Sequence, residues 1–388
     1  MRRRAPEMLR EFRAPDESGA EARAWSVVQA AYAARDPVVR RRSHRRLALV
    51  PVLAAVAAGL VLSPAGARVG GLITKALGVR HAAPMLSSLP APGRLLVSGP
   101  GGTWTAAADG SLRHLGSWSQ ASWSPRGLYA AVVSGDRLAA VDRHGDIRWA
   151  VARPAVSDPT WFSPSGYRVA YLSAGTLRVI AGDGTGDHLL AGPVAHVAPA
   201  WRPNNSFQLA YVTDANRIVV RDADTGQVLW SKQAGARPSE LLWSNDGGRL
   251  VVVSAHSVRT YTPGGTLSAT LHLPAIAAAG DAALSPDGRL LALVVGGRQL
   301  EVVAAGSSNS RARQLLAMAG LREVSWSPDG RWLLVSLPAA DQWVFLQVDG
   351  ALRVEAVSHI AQQFSAGSSA KAFPQLDGWC CAVQGPSG

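Results

Sequence analysis

From residue 94 onward the chain alternates short apolar segments with polar turns, and the segments recur at a nearly constant spacing. Each repeat has a large apolar residue, then a turn related to Ser-Pro-Asp-Gly, then an apolar or β-branched strand. The turn occurs six times, as WSPRG at Trp123, FSPSG at Phe162, WRPNN at Trp201, WSNDG at Trp243, LSPDG at Leu284 and WSPDG at Trp326. Successive copies start 39 to 42 residues apart. Because a four-stranded blade needs about 40 residues, the pattern predicts an all-β protein, a β-propeller.

The chemistry of the repeat fits a blade whose first two strands are joined by a tight turn. Proline presets φ, aspartate hydrogen-bonds nearby backbone N–H groups, and glycine takes the left-handed conformation. We therefore expect Asp246, Asp287 and Asp329 to support turns and to be committed there. The large residue before each turn is expected to pack between neighbouring blades.

The two ends of the repeat region indicate how the ring closes. Residues 94–116 predict three strands without a preceding turn motif, and residues 373–381, FPQLDGWCC, predict one further strand. If this last strand completes the first blade, the ring has seven four-stranded blades and no exposed edge in that blade. A six-bladed ring with an irregular C-terminal extension is the alternative, and we favour seven.

The apolar run LALVPVLAAVAAGLVL at residues 47–62 predicts a membrane anchor. Residues 47–67 contain no charged side chain, and a segment of this length is long enough for one transmembrane helix. Five arginines lie within residues 40–46, and the positive-inside rule then places the N-terminus in the cytoplasm. Cleavage after Ala67, at the small residues Ala65 and Ala67, is one alternative, and a buried helix of a soluble fold is another.

The predicted organisation is therefore a single-pass membrane protein. Residues 1–46 form a cytoplasmic arginine-rich stub, 47–67 the helix, 68–93 a linker and 94–388 an extracytoplasmic propeller. Within the stub, residues 18–36 predict a short helix with a capping box at Ser18 and Glu21 and an apolar face. We favour a helix that lies on the membrane surface or frays in solvent, and the alternative is a helix that docks a cytoplasmic protein partner.

The distribution of charge argues against nucleic acid as a partner. The formal net charge is +12, and residues 1–46 contribute twelve arginines and six acids, or +6. Half of the excess therefore lies immediately before the apolar run. That position is typical of a segment beside a membrane and not of a basic groove.

The Trp-Ser-Pro-Asp-Gly repeat, over residues 94 to 360, resembles the TolB-type propellers, which are related to WD-repeat propellers. The resemblance implies protein binding at the funnel or the loops and names no substrate. The second, N-terminal domain of TolB has no counterpart here. In addition, Asp224-Thr-Gly-Gln-Val-Leu-Trp230 resembles a signature of quinoprotein-type propellers, and residues 144–149 repeat it weakly.

Motifs that would indicate catalysis are missing from the sequence. It contains no G-x-S-x-G, no H-E-x-x-H and no C-x-x-C, and its nine histidines are scattered. We assign no catalytic, cofactor-binding or metal-binding residue, and we expect a channel lined by small apolar and neutral polar side chains. Cys380 and Cys381 form a vicinal disulfide, two buried thiols or an exposed pair.

The expected function is a non-enzymatic binding or scaffold module that contacts a protein or another envelope component outside the membrane. A transmembrane regulator, of anti-sigma or sensor type, is the first alternative. An enzyme of the quinoprotein type that uses the central channel is a remote second alternative.

Overall fold

A computed structural model describes Ala83 and residues 85–203, 206–273, 279–350, 352–365 and 372–381. The chain divides into a unit of residues 1–63 and a unit of residues 64–388, and every described residue belongs to the second. Within the described ranges the chain forms 28 strands in seven antiparallel four-stranded sheets. These sheets are the blades of a β-propeller.

The strands follow the order of the chain, four to a blade. The first blade contains β1 (Arg94–Gly99), β2 (Gly102–Ala107) and β3 (Leu112–Gly116). The second contains β4 (Gln120–Trp123), β5 (Tyr129–Ser134), β6 (Arg137–Asp142) and β7 (Ile147–Ala152). The third contains β8 (Val156–Trp161), β9 (Arg168–Ser173), β10 (Thr176–Ala181) and β11 (His188–Ala191). The fourth contains β12 (Ala200–Trp201), β13 (Gln208–Val212), β14 (Arg217–Asp222) and β15 (Val228–Gln233).

The remaining blades repeat this order. The fifth contains β16 (Pro238–Trp243), β17 (Leu250–Ser254), β18 (Ser257–Tyr261) and β19 (Leu267–His272). The sixth contains β20 (Ala279–Leu284), β21 (Leu290–Val295), β22 (Gln299–Ala304) and β23 (Arg313–Ala317). The seventh contains β24 (Val324–Trp326), β25 (Trp332–Leu337), β26 (Gln342–Gln347) and β27 (Val354–Ser358). A 3-10 turn (Pro338–Ala340), the short helix α1 (Ile360–Gln363) and β28 (Gln375–Cys380) complete the described elements.

The ring is closed by the C-terminal strand, as predicted. Strand β28 pairs antiparallel with β1, where Arg94 faces Cys380 and Leu95 faces Trp379, so that it becomes the first strand of blade 1. The first strand of every blade contacts the first strand of the next blade, and β28 contacts β4 on one side and β24 on the other. Seven blades are therefore confirmed, and the six-bladed alternative is wrong.

The core lies between adjacent blades, because each sheet is covered on both faces. In blade 1, Leu95 and Val97 are fully buried against Trp343 and Phe345 of blade 7. Tryptophans before the turns join neighbouring blades as expected. The indole Nε1 of Trp326 donates to the Ala283 carbonyl oxygen at 2.9 Å, across the boundary between blades 7 and 6.

The turn after Trp326 shows why Ser-Pro-Asp-Gly recurs. Asp329 accepts hydrogen bonds from the Ser327 hydroxyl at 2.5 Å and from the Arg331 N–H at 3.1 Å. The Ser327 hydroxyl oxygen accepts the Trp332 N–H at 2.9 Å, and Gly330 has φ +69°. Asp246 and Asp287 make the same contacts in their turns. The turn role expected for these aspartates is confirmed.

The described residues just before β1, Ala83 and 85–93, pack on the propeller, within the segment 68–93 that we predict as a linker. Leu86 and Leu89 are buried in the core shared by blades 1 and 7, and Ala83 bridges to Val357. The predicted stub 1–46, the helix 47–67 and the cleavage position at Ala67 lie outside the described residues. Among the described residues, no helix has the length and apolar character needed to cross a membrane.

Candidate functional site

Four acidic side chains from neighbouring blades lie at one level of the ring, on or beside the innermost strands. Glu240 is on β16, Asp281 on β20, Asp377 on β28, and Glu323 immediately precedes β24. We call these four residues the carboxyl belt. All four are half-buried. The expected channel lining of small apolar and neutral polar side chains stays a prediction, and the belt adds acidic groups on or beside the innermost strands.

Irregular pairing positions the belt. The register of β16 shifts between Pro238 and Glu240, and that of β20 shifts between Ala279 and Ala282. In β28 the register also shifts, so that Asp377 has no partner on β1. A β-bulge re-aims the side chain that it contains. These carboxyl groups consequently point toward the next blade.

Each innermost strand has one row of backbone groups without a strand partner, and belt side chains satisfy part of that row. The Ala282 N–H donates to Glu240 Oε1 at 3.1 Å, and the Val324 N–H donates to Asp281 Oδ2 at 2.6 Å. In blade 2 the amide of Gln120 has the same role, since its Oε1 accepts the Asp158 N–H at 2.9 Å. Belt side chains therefore tie blade 5 to blade 6 and blade 6 to blade 7, and Gln120 ties blade 2 to blade 3.

Burial raises the pKa values of three belt carboxyls. It raises the pKa of Glu240 well above its ordinary value, and the charge of Asp281 raises it further. Burial raises the pKa of Asp281 to about 6. Burial, with the charge of Glu323, also raises the pKa of Asp377, whose Oδ2 accepts no hydrogen bond from the described residues. Since neighbouring carboxyls that are shielded from water cannot all ionise cheaply, Glu240, Asp281 and Asp377 bind their protons more tightly than ordinary carboxyls do.

A cavity of about 480 Å³ opens beside blade 3, and we call it the blade-3 cavity. Its lining includes Ser119, Asp136, Ser157 and His196. The Nε2 atom of His196 lies 3.4 Å from Ser157 Oγ and 3.5 Å from Asp158 Oδ2. A catalytic Ser-His-Asp arrangement needs the two different ring nitrogens for these partners. The geometry here is therefore not that of a nucleophilic triad.

A groove of about 720 Å³ lies between blades 2 and 3 at the opposite ends of the strands. Its lining includes Tyr129, Trp149, Tyr167, Arg148 and Arg168, and we call it the aromatic groove. The Tyr167 side chain is 67% exposed and Tyr129 is 40% exposed. The groove thus presents aromatic rings and guanidinium groups to solvent.

The tryptophans of the quinoprotein-like signature have a structural role. Trp230 Nε1 donates to the Pro263 carbonyl at 2.8 Å, and Trp149 Nε1 donates to the Gly182 carbonyl at 2.8 Å. In both cases the acceptor lies in a turn of the next blade, 33 residues further along the chain. The signature therefore marks contacts between blades.

Cys380 and Cys381 are joined by a disulfide, the first of the three alternatives that the sequence left open. Their sulfur atoms lie toward the turn of blade 2, where Cys381 Sγ is 3.3 Å from the Pro125 carbonyl oxygen. The bond lies at the point where the ring closes. Within the described residues, no group of three or more histidine, cysteine, aspartate or glutamate side chains is arranged to hold a metal ion.

Comparison with known proteins identifies the fold. No family model matches the sequence, and no curated protein matches it. Kluyveromyces lactis Hsv2 is 16% identical, with a TM-score of 0.55 over 69% of this chain and 96% of that chain. The β-propeller domain of Myceliophteria thermophila Cps50 (Swd1) is 15% identical, with a TM-score of 0.53 over 63% and 89%. A candidate 6-phosphogluconolactonase from Bacteroides uniformis is 17% identical, with a TM-score of 0.52 over 69% and 97%.

The chain is thus a seven-bladed β-propeller with WD-repeat-like neighbours. Identities this low show the fold alone. The narrower resemblance to TolB-type propellers and the N-terminal anchor stay predictions.

Proposed function

We propose that the protein is a binding or scaffold module, held outside a membrane by residues 47–67, which works by surface contact and without catalysis. The observation that carries the proposal is the aromatic groove. Tyrosine, tryptophan and arginine are the residue types that dominate binding energy at protein interfaces. The groove combines all three.

Several of the exposed large apolar side chains lie beside the aromatic groove. Four of the exposed large apolar side chains, Leu128, Tyr129, Ile147 and Tyr167, belong to the ends of blades 2 and 3 that border the groove. A concentration of exposed apolar side chains rimmed by polar groups marks an interaction site more often than isolated ones do. The groove therefore offers exposed apolar side chains on which a partner can pack.

The charges of the groove select the partner. The Arg148 side chain is 56% exposed, and its ion pair with Asp142 leaves donors facing solvent. Arg168 forms a second ion pair, with Asp224. Guanidinium groups beside aromatic rings complement carboxylates next to apolar side chains. The occupant that fits is an extended segment of another protein with acidic and apolar side chains.

A photo-crosslinking residue placed at Tyr167 in the full chain tests the groove. We expect an adduct with an extracytoplasmic protein, through a peptide that contains aspartate or glutamate, and loss of the adduct on Arg148→Glu. The matched control is the same crosslinker at Leu267, which is 50% exposed on blade 5. Equal adducts at both positions, or a peptide without acidic residues, would contradict the proposal.

The regulator alternative rests on the stub. Residues 18–36 predict a helix with an apolar face on the cytoplasmic side, which is where a cytoplasmic partner would bind. Deleting residues 18–36 distinguishes the two functions. A pure scaffold keeps the crosslink at position 167 and its cellular output, whereas a regulator keeps the crosslink and loses the output.

A further inference from the structure

The blade-3 cavity lies on the face of the ring opposite to the aromatic groove. The turn between β5 and β6 and the turn between β9 and β10 border the cavity, whereas the turns at the other ends of the strands border the groove. We propose that the blade-3 cavity is a binding site for a small primary amine, whose ammonium group replaces His196 in front of the Asp158 carboxylate. This proposal does not rest on the proposed function.

The first support is the state of the Asp158 carboxylate. Its side chain is 22% exposed, and its Oδ2 is buried yet accepts no hydrogen bond from the described residues. A buried carboxylate oxygen without a donor is costly. The N–H of Asp158 is held by Gln120 at 2.9 Å, so the residue is fixed in place. An ammonium group would supply the missing donor.

The second support is that His196 covers this carboxylate loosely. The His196 side chain is 75% exposed, and its Nε2 lies 3.5 Å from Asp158 Oδ2. Such a distance is beyond a normal hydrogen bond. Because the imidazole is mostly in solvent, its displacement loses little packing. Ser157 Oγ, 3.4 Å from the same nitrogen, then becomes a second acceptor for the incoming ammonium.

The third support is the character of the cavity walls. Val156, Leu172 and Val194 supply apolar surface, and the exposed Asp136 lies among the lining residues. No lysine or arginine lines the described cavity, although the chain has 39 of them. The nearby Arg153 is paired with Asp187 at 2.5 Å. The site therefore suits a cation with an alkyl chain and opposes an anion.

Backbone strain is concentrated at the same place. Ala155, Asp158 and Ala174 have φ values of +47°, +52° and +45°, a region that residues other than glycine rarely adopt. Ala155 and Ala174 line the cavity, and Asp158 lies in a bulge of β8 directly behind it. Strain of this kind clusters at ligand sites, where it holds groups ready for binding.

Titration calorimetry on the full chain, with n-pentylamine as the probe, tests the proposal. We expect saturable binding with a Kd on the order of 1 mM, a value typical of a ligand this small. The isosteric 1-pentanol and the anion pentanoate should bind at least tenfold more weakly. Equal binding of pentanol, or no saturable binding of the amine, would overturn the proposal.

Three variants sharpen the test. Asp158→Asn, which preserves shape, should weaken amine binding at least tenfold, whereas Asp109→Asn, in an exposed turn of blade 1, should leave it unchanged. His196→Ala should leave amine binding intact or strengthen it, because the competing contact is removed. Unchanged binding in Asp158→Asn, or weaker binding in His196→Ala, would show that the ammonium does not take the place of His196. Circular dichroism spectra that match the parent protein confirm that each variant is folded.

Discussion

The carboxyl belt makes the stability of the ring depend on pH, and Asp281→Asn is the perturbation that exposes this dependence. Burial raises the pKa of Asp281 from 3.8 to about 6. A carboxyl whose pKa is higher in the folded state binds its proton more tightly there. This contribution to stability is therefore fully present below the unfolded pKa and is lost as pH rises through the folded pKa of about 6.

The magnitude follows from the same two values. At about 1.4 kcal/mol for each pH unit, a rise from 3.8 to about 6 corresponds to about 3 kcal/mol lost between pH 4 and pH 7. Asp281→Asn removes this loss, and its amide oxygen can still accept the Val324 N–H that Asp281 accepts at 2.6 Å. The substitution also removes a charge beside Glu240, which acts in the same direction.

Urea unfolding of the parent and the variant, followed by far-UV circular dichroism from pH 4 to pH 7.5, measures the effect. As pH rises across this range, the parent should lose about 3 kcal/mol of unfolding free energy that the variant keeps. Asp109→Asn is the control, because hydrogen bonds from Ser111 lower the pKa of Asp109 and so do not produce a loss of stability as pH rises. Parallel pH curves for the parent and Asp281→Asn would refute the reasoning.

Three further predictions concern closure, topology and composition. Trp379→Ala should lower the free energy of unfolding by about 3–5 kcal/mol, because Trp379 is buried where β28 completes blade 1. The control is Leu189→Ala, which should cost under about 0.5 kcal/mol because the Leu189 side chain is 58% exposed. Equal urea midpoints for the two variants would show that the C-terminal strand does not hold the ring together. A reporter fused after Gly388 should be active only outside the cytoplasm, and cytoplasmic activity would reverse the predicted orientation. Elemental analysis of the purified chain should find no stoichiometric metal, and one tightly bound ion per chain would revive the quinoprotein-type alternative.

Local sequence was enough for the repeated parts of the fold. The Trp-Ser-Pro-Asp-Gly turns, their spacing and the role of Asp329 depend on contacts within a few residues, so the pattern carries them directly. The closing strand at residues 375–380 was predictable because the first blade lacked one strand and the C-terminus offered one. From the sequence alone a six-bladed ring stayed possible, because FPQLDGWCC lacks the turn motif of the other repeats.

The carboxyl belt was missed, although a signal for it exists. Glu240, Asp281 and Glu323 each lie three residues before the large apolar residue that opens a turn. Read one at a time, each is an ordinary acid in an unremarkable segment. Only a comparison of equivalent positions across blades reveals that they recur at one level.

What the sequence by itself determined is the blade, its repeat and the closure of the ring, because these follow from local turn geometry and from the need to pair every strand. Only the tertiary structure decided which side chains meet. Asp281 and Val324 are 43 residues apart, and Asp158 and His196 are 38 residues apart, yet each pair is in contact. Bulges of the inner strands set where these side chains point, and bulges depend on the pairing of whole strands. The raised pKa values and the cavity beside Asp158 are consequences of that packing.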